Sequence, residues 1–357
     1  MKKTVLILFS SALALSGCIP QQQILEELQL IKTIGYDYVD DDVILGTGGS
    51  TSIPHGQQSL PSDESFSASG HTSKQIRQKL QNETTKPIVI GRVGVVLFSE
   101  TLAEHGIAAL LDNLQRDPEI GRDIYLALAE KSAQEIIKAN YSTTIPTSNY
   151  IFDLIQQSME QSLPKTNLHG FLYRYYGKGL DAFMPIVRQF DSKLIITGIG
   201  IFKADKLVQK ISAEDAYYLK MTSDKIEKGI FEVSYKGKNL SIENLFSKPD
   251  LKIKKKGAHY YAELNLEVKG RISEGGGLRM TNKDVMRRIE LATDKKVRTK
   301  IKQLIQSFKE NQVDPIGLKR KAMQNRSFSK KEWDQQYDKM PIDVNVKVTI
   351  LHAGIME

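Results

Sequence analysis

Apolar and polar positions along the chain fall into two kinds of run. Near the start, Leu30 to Tyr38 alternates as a strand, and Val43 to Leu45 reads as its return. Ile88 to Phe98 is a near-continuous Val/Ile/Leu run, which predicts a strand buried on both faces. From Glu100, the spacing of Ile107, Leu110, Leu111 and Leu114 predicts one helix reaching Leu114. Ile124 to Ala129 reads as a strand, although its alanines also permit a helix. Ser132 and Glu135 form a capping box before Ile136 and Ile137. Helices are expected over 149–163, capped by Ser148, and after Thr166 or Asn167.

Beyond Ala182 strands dominate, at 186–190, 194–202, 207–211, 230–235, 239–246, 251–255 and 260–268, with a short helix capped by Ser212. Gly275-Gly276-Gly277 breaks this run. A long helix follows from Thr281 or Asn282 to about Asn311, with Val297, Ile301, Leu304, Ile305 and Phe308 as its apolar stripe. Lys295, Lys296, Lys300, Lys302 and Lys309 surround the stripe, and a core-packed helix with a solvated basic face is the simplest reading. A valine-rich strand, Ile342 to Leu351, comes last. The pattern is mixed α/β (α+β). Its segments are an α/β part over 31–190, a β-rich part over 191–272, and a C-terminal part over 273–357 with the long helix and final strand.

The first thirty residues obey a different rule. Lys2 and Lys3 precede an apolar run from Val5 to Leu15, too short for a bilayer core and suited to a signal peptide over 1–17. It ends in Leu15-Ser16-Gly17-Cys18, which resembles the bacterial lipobox, and Cys18 is the only cysteine in the chain. Cys18 is therefore the expected lipidation site, and residues 18–30 the tether of a body on the outer face of a membrane. A single acyl chain anchors only marginally, so stable attachment takes two or more.

Composition changes little. The chain has 357 residues and a formal charge of +8, which loss of Lys2 and Lys3 lowers to +6. That balance suits an anionic membrane surface and is no argument for nucleic acid. Gly46 to Gly70 is rich in Gly, Ser, Pro and Gln and reads as a loop. Within it, Gly46 to Thr51 lacks the Gly-Lys-Ser/Thr ending of a phosphate-binding loop. Asp40-Asp41-Asp42 reads as a solvated turn, because an EF-hand needs alternating acidic ligands and a closing glutamate. The six histidines make no HExxH arrangement, and there is no Gly-x-Ser-x-Gly elbow. Catalytic residues, cofactor ligands and metal ligands are accordingly none.

Several landmarks occur in a fixed order. They are Ile34-Gly35-Tyr36-Asp37, then Leu114 to Ile120 (LQRDPEI), then Gly200 to Leu207 (GIFKADKL), then Asp314-Pro315-Ile316-Gly317-Leu318 after the long helix, then Trp333 and the strand Val344 to Ile350. Together with the lipobox this order resembles the C-subunit lipoproteins, Ger(x)C, of spore nutrient germinant receptors, over essentially the whole mature chain. The chain departs from the family after Cys18, where a common Trp-Asp pair is missing, and after Gly317-Leu318, where Lys319 stands in place of a glycine.

The resemblance implies three small domains, each a sheet with packed helices, and a non-enzymatic subunit. It also implies membrane-embedded partners, the A and B type receptor subunits, at the inner membrane of the dormant spore, where the complex triggers germination. The competing reading is an envelope solute-binding or hydrolytic lipoprotein, which would need a cleft lined by convergent polar groups. For Asp314 to Leu318, plain helix termination is favoured over a partner-docking loop.

Overall fold

The computed structural model of the protein describes residues 27–52, 62–278 and 282–351. The signal segment 1–17, Cys18 and the tether as far as residue 26 lie outside the described residues.

The first sheet begins with β1 (Gln29–Tyr38), as the alternation predicts. Asp40 to Asp42 form an exposed turn, and β2 (Ile44–Ser52) returns antiparallel. β3 (Ser62–Gly70) then pairs with β2. The stretch expected as a loop over 46–70 thus contributes two strands, and only 53–61 lies outside the described residues. Glycine and serine are weak strand formers, but small residues are needed here. A Cβ on Gly35 of β1 would sit 2.8 Å from Ile137 Cδ1, and one on Gly49 of β2 would sit 2.9 Å from Ile137 Cγ2. Burial favours the strand over the intrinsic preference of its residues.

α1 (Ser73–Gln81) leads to the short β4 (Ile88–Val89) and then β5 (Val95–Ser99). The single strand expected over 88–98 is interrupted by a turn in which the Val93 amide donates to Ile90 O at 3.1 Å. The helix expected over 100–114 is likewise two, α2 (Glu100–His105) and α3 (Ala108–Arg116). They are separated at Gly106, whose φ of +126° suits only glycine. β6 (Tyr125–Ala129), α4 (Ala133–Lys138), α5 (Thr147–Gln161) and α6 (Leu168–Tyr176) follow. β7 (Phe183–Phe190), β8 (Lys193–Lys203) and β9 (Lys206–Ser212) complete the sheet, in the order β3-β2-β1-β5-β6-β7-β8-β9, with β4 on β1. β1, β5, β6 and β7 run parallel, so their amino ends share one edge and their carboxyl ends the other. β8 and β9, grouped by sequence with the segment after 190, hydrogen-bond into this first sheet.

Helices cover both faces. Ile76, Leu102, Leu111 and Phe171 pack on one side, and Ile136, Ile151 and Ile155 on the other. Val95 to Phe98 between them is fully buried, as its unbroken apolar run predicts.

α7 (Ala213–Ser223) has seven consecutive buried residues, Ala216 to Thr222. A helix buried all round lies between layers, and α7 joins the first sheet to the second in one continuous core. The second sheet is β10 (Ile230–Tyr235), β11 (Lys238–Lys256), β12 (His259–Glu274) and β13 (Ile342–Ile350), in that order. β11 replaces the two strands expected at 239–246 and 251–255 and runs through Pro249. β10 covers β11 only to Glu243, so a residue without N–H costs no ladder bond at Pro249.

α8 (Lys283–Glu310) is capped by Asn282 and buries the expected stripe. Lys309, expected on its charged face, is buried and donates its Nζ hydrogen to Met340 O. α9 (Leu318–Ala322) and α10 (Lys330–Asp334) surround a smaller core of Tyr260, Trp333, Tyr337 and Met340. β13 pairs parallel with β12. The fold is mixed α/β, and its described strands form two sheets, with β10 to β13 making the second.

Candidate functional site

Cys18, the one residue to which the sequence assigns covalent chemistry, lies outside the described residues. The landmarks lie within them, and three of them share one device. Asp37 ends β1, and its carboxylate accepts from Ala133 N at 2.7 Å and Gln134 N at 2.8 Å, capping α4. Burial raises the Asp37 carboxyl pKa, and those amide hydrogen bonds oppose the shift. Asp205, in the β8–β9 turn, does the same for α3, whose own cap position Ile107 offers no side-chain acceptor. Its Oδ2 accepts from Ala108 N at 3.3 Å and its carbonyl from Ile107 N at 3.1 Å. Asp63 caps α5, taking Thr147 N at 2.9 Å. Each carboxylate neutralises the unsatisfied amides and partial positive charge of a helix start. The local caps at Ser132, Asn167, Ser212 and Asn282 are those expected from sequence.

Asp314 is the most enclosed of these groups. Its carboxylate accepts from Gly317 N at 2.8 Å, Leu318 N at 2.9 Å and Lys319 N at 2.7 Å. Burial pushes its pKa up to about 6 in spite of these donors. The Asp314 amide donates to Asp181 Oδ2 at 2.7 Å, and Asp181 N returns a bond to Asp314 O at 3.1 Å. Arg174 donates to Pro315 O at 2.9 Å and lies 4.3 Å from the Phe183 ring centroid. Burial lowers its guanidinium pKa to about 10. The Asp314 to Leu318 turn therefore faces inward, locking the C-terminal segment against α6 and β7. α8 has already ended at Glu310, with Gln312 at a φ of 55° after it, so the turn expected to terminate α8 starts α9 instead.

The main recess lies elsewhere. At the carboxyl edge, between the ends of β1 and β5, a groove of about 660 Å³ is lined by Tyr38, Asp40 to Asp42, His71, Lys74, His105 and Lys206. The chain leaves β1 for β2 and β3 on one side and returns to β5 on the other, so this is a switch point where open α/β sheets bind ligands. Tyr38 stacks on His105 with centroids 4.0 Å apart, and its hydroxyl donates to Asp41 Oδ1 at 2.8 Å. Nδ1 of His71 and of His105 each lie 2.8 Å from a backbone carbonyl, of Asp42 and Thr101 respectively. His105 is exposed but held by that stacking. Sequence spacing could not bring residues 38, 71, 105 and 206 together. The only local signal was the acidic turn.

Among the described residues, no group of three or more His, Cys, Asp or Glu is placed to hold a metal ion. Among them too, no helix is long and apolar enough to cross a membrane. His55 and His352 lie outside them.

Comparison with known proteins matches both halves of the chain. The spore germination protein N-terminal domain matches residues 21–189, and the spore germination B3/GerAC-like C-terminal domain matches 197–354. Spore germination protein GerQC of Bacillus cereus is 26% identical over 363 residues, covering 100% of both chains. Spore germination protein B3 of Bacillus subtilis (strain 168) is 24% identical, covering 98% of this chain and 97% of its own. A crystal structure of the GerBC protein aligns with a TM-score of 0.57 at 18% identity, over 89% of this chain and 97% of that one, and so shares the fold. With its two halves matched in order and a relative aligned over its full length, the chain belongs to the Ger(x)C family of spore germination proteins.

Proposed function

We propose that this chain is the C subunit of a spore nutrient germinant receptor, anchored by lipid on Cys18 to the outer face of the spore inner membrane. It acts there without catalysis, by assembling with membrane-embedded A and B type subunits to trigger germination. The observation that carries the reading is Leu15-Ser16-Gly17-Cys18 after a charged and apolar leader, joined to a body whose family is that of germination proteins. A tether of this kind raises the local concentration of the body beside its membrane partners. The test is Cys18→Ala in the native organism, scored for membrane retention and for germination response. Both are expected to fall, and a variant that stays membrane-bound and signals normally would overturn the anchor.

The groove at the carboxyl edge favours a second reading, a solute-binding lipoprotein, because it gathers polar groups at a switch point. A ligand that binds only the native state raises its Tm. Amino acids, sugars and nucleosides that raise the Tm, and stop doing so in Tyr38→Ala, would support this reading. A flat response across the panel would leave the groove without that role.

A further inference from the structure

The amino edge of the first sheet lies opposite the groove, and the described chain enters the fold there. Gln29 opens β1 at this edge, its amide donating to Pro87 O at 2.9 Å. Two strands along, the residues just before β6 receive the start of α6. Leu168 N donates to Ile124 O at 2.8 Å and His169 N to Arg122 O at 3.1 Å. A broad depression of about 640 Å³ extends from Arg122 and His169. It carries Arg122, Lys178 and Arg320 from three separate elements, with Tyr173, Tyr176 and Met323 among them, and no carboxylate lines it. Tyr173 is 51% exposed and Tyr176 56%, a pair of large rings presented to the surroundings. Arg320 lies over the Tyr173 ring at 4.5 Å. Arg116 on α3 pairs with Asp112 at 2.8 Å. None of the ion pairs among the described residues involves Arg122, Lys178 or Arg320.

We propose that this face rests on anionic lipid headgroups, with the three cations over the phosphates and the tyrosines at the interface. The proposal builds on the Cys18 anchor. Nine residue steps separate Cys18 from Glu27, and an extended chain spans about 3.5 Å per residue, so the lipid reaches about 30 Å at most. Two strand spacings from β1 to β6 are only about 10 Å, so the tether brings the depression within reach of the bilayer. Lysine and arginine near an anionic surface are attracted to it, and tyrosine favours the boundary between headgroup and acyl chain. Cations spread over three elements around exposed rings fit a plane of phosphates.

The experiment uses the processed, lipidated chain carrying Tyr176→Trp, reconstituted in vesicles containing brominated lipid. The chain's own Trp333 is buried and gives a constant background. One set of vesicles is phosphatidylcholine alone, and the other is phosphatidylcholine and phosphatidylglycerol in equal parts. The expected result is retention on both sets, with quenching of the new tryptophan only on the anionic set. High salt should relieve that quenching. Each cation reversed in Arg122→Glu and Lys178→Glu should weaken the contact at least about fivefold. No quenching on anionic vesicles overturns the proposal and leaves the anchor untouched. So does shielding that needs an added membrane-embedded subunit, which would make the occupant a protein. Release from neutral vesicles together with quenching on anionic ones sinks the anchor instead and supports the surface.

Discussion

Asp37 and Ala133 stand 96 positions apart in sequence, and a 2.7 Å hydrogen bond joins the Asp37 carboxylate to the Ala133 amide. A second bond, to Gln134 N, makes the end of β1 the cap of α4. Asp37→Ala removes both acceptors at once. Leaving a buried donor unsatisfied costs about 1–3 kcal/mol, so a loss of about 2–6 kcal/mol is expected from two. Asp37→Asn keeps one acceptor and should lose less. Urea unfolding of the three proteins measures the order, and equal stability of Asp37→Ala and the parent would refute the cap.

The same helix tests the close approach on its inner face. A side chain at Gly35 would press on Ile137 Cδ1 at 2.8 Å and Ala133 Cβ at 2.9 Å. Overpacking of this kind costs about 1–3 kcal/mol. Gly35→Val should lower the Tm, and the additional change Ile137→Ala should recover part of the loss. No recovery in the double variant would show that the clash lies elsewhere.

Asp314 makes stability depend on pH in a direction opposite to an ordinary paired carboxylate. Its pKa rises from 3.8 to about 6 on folding, because burial disfavours the charge. Between those values the native state holds more protons than the unfolded one, so stability on this group's account falls as pH rises through the window and is level above it. The size is of order 3 kcal/mol, from about 1.4 kcal/mol per pKa unit. Asp314→Asn removes that dependence, so its stability relative to the parent should improve from about pH 4 to about pH 7. Denaturant midpoints at the two pH values check this, and a constant difference between the proteins would contradict it.

Arg174 tests the lock on the C-terminal segment. Arg174→Met removes the guanidinium that lies over Phe183 and strips Pro315 O of its donor. Hydrogen bonds involving a charged group contribute about 1.5–3 kcal/mol, and a loss of that order is expected. Hydrogen exchange should quicken over α9 while α4 keeps its protection. Uniform acceleration across both would mean the contact is not local.

Legibility in the sequence followed distance along the chain. The caps at Ser132, Asn167, Ser212 and Asn282 were readable because donor and acceptor lie within three residues. The buried stripe of α8 was readable because its period repeats over many turns. Asp37, Asp63 and Asp205 were not, since each serves a helix reached only through the tertiary fold. The extension of β2 beyond Leu45 and all of β3 were missed because Gly and Ser were read as loop chemistry, whereas at Gly49 small size is what admits Ile137. The family landmarks carried information that local rules could not decode. In Ile34-Gly35-Tyr36-Asp37, the glycine seats α4 and the aspartate caps it.

The parallel pairing of β12 with β13 also sets an order of events during synthesis. β11 and β12 are hairpin neighbours and can zip as they emerge, but β13 arrives only after α8 and everything through residue 341. Until then the outer edge of β12 has no neighbour, and the part of α8 that packs on β13 is uncovered. A chain stalled or clipped ahead of Ile342 would display an open strand edge beside an apolar helix face, the combination that proteases and aggregation act on. Pairing of β13 thus closes the strand edge and the helix face in one step.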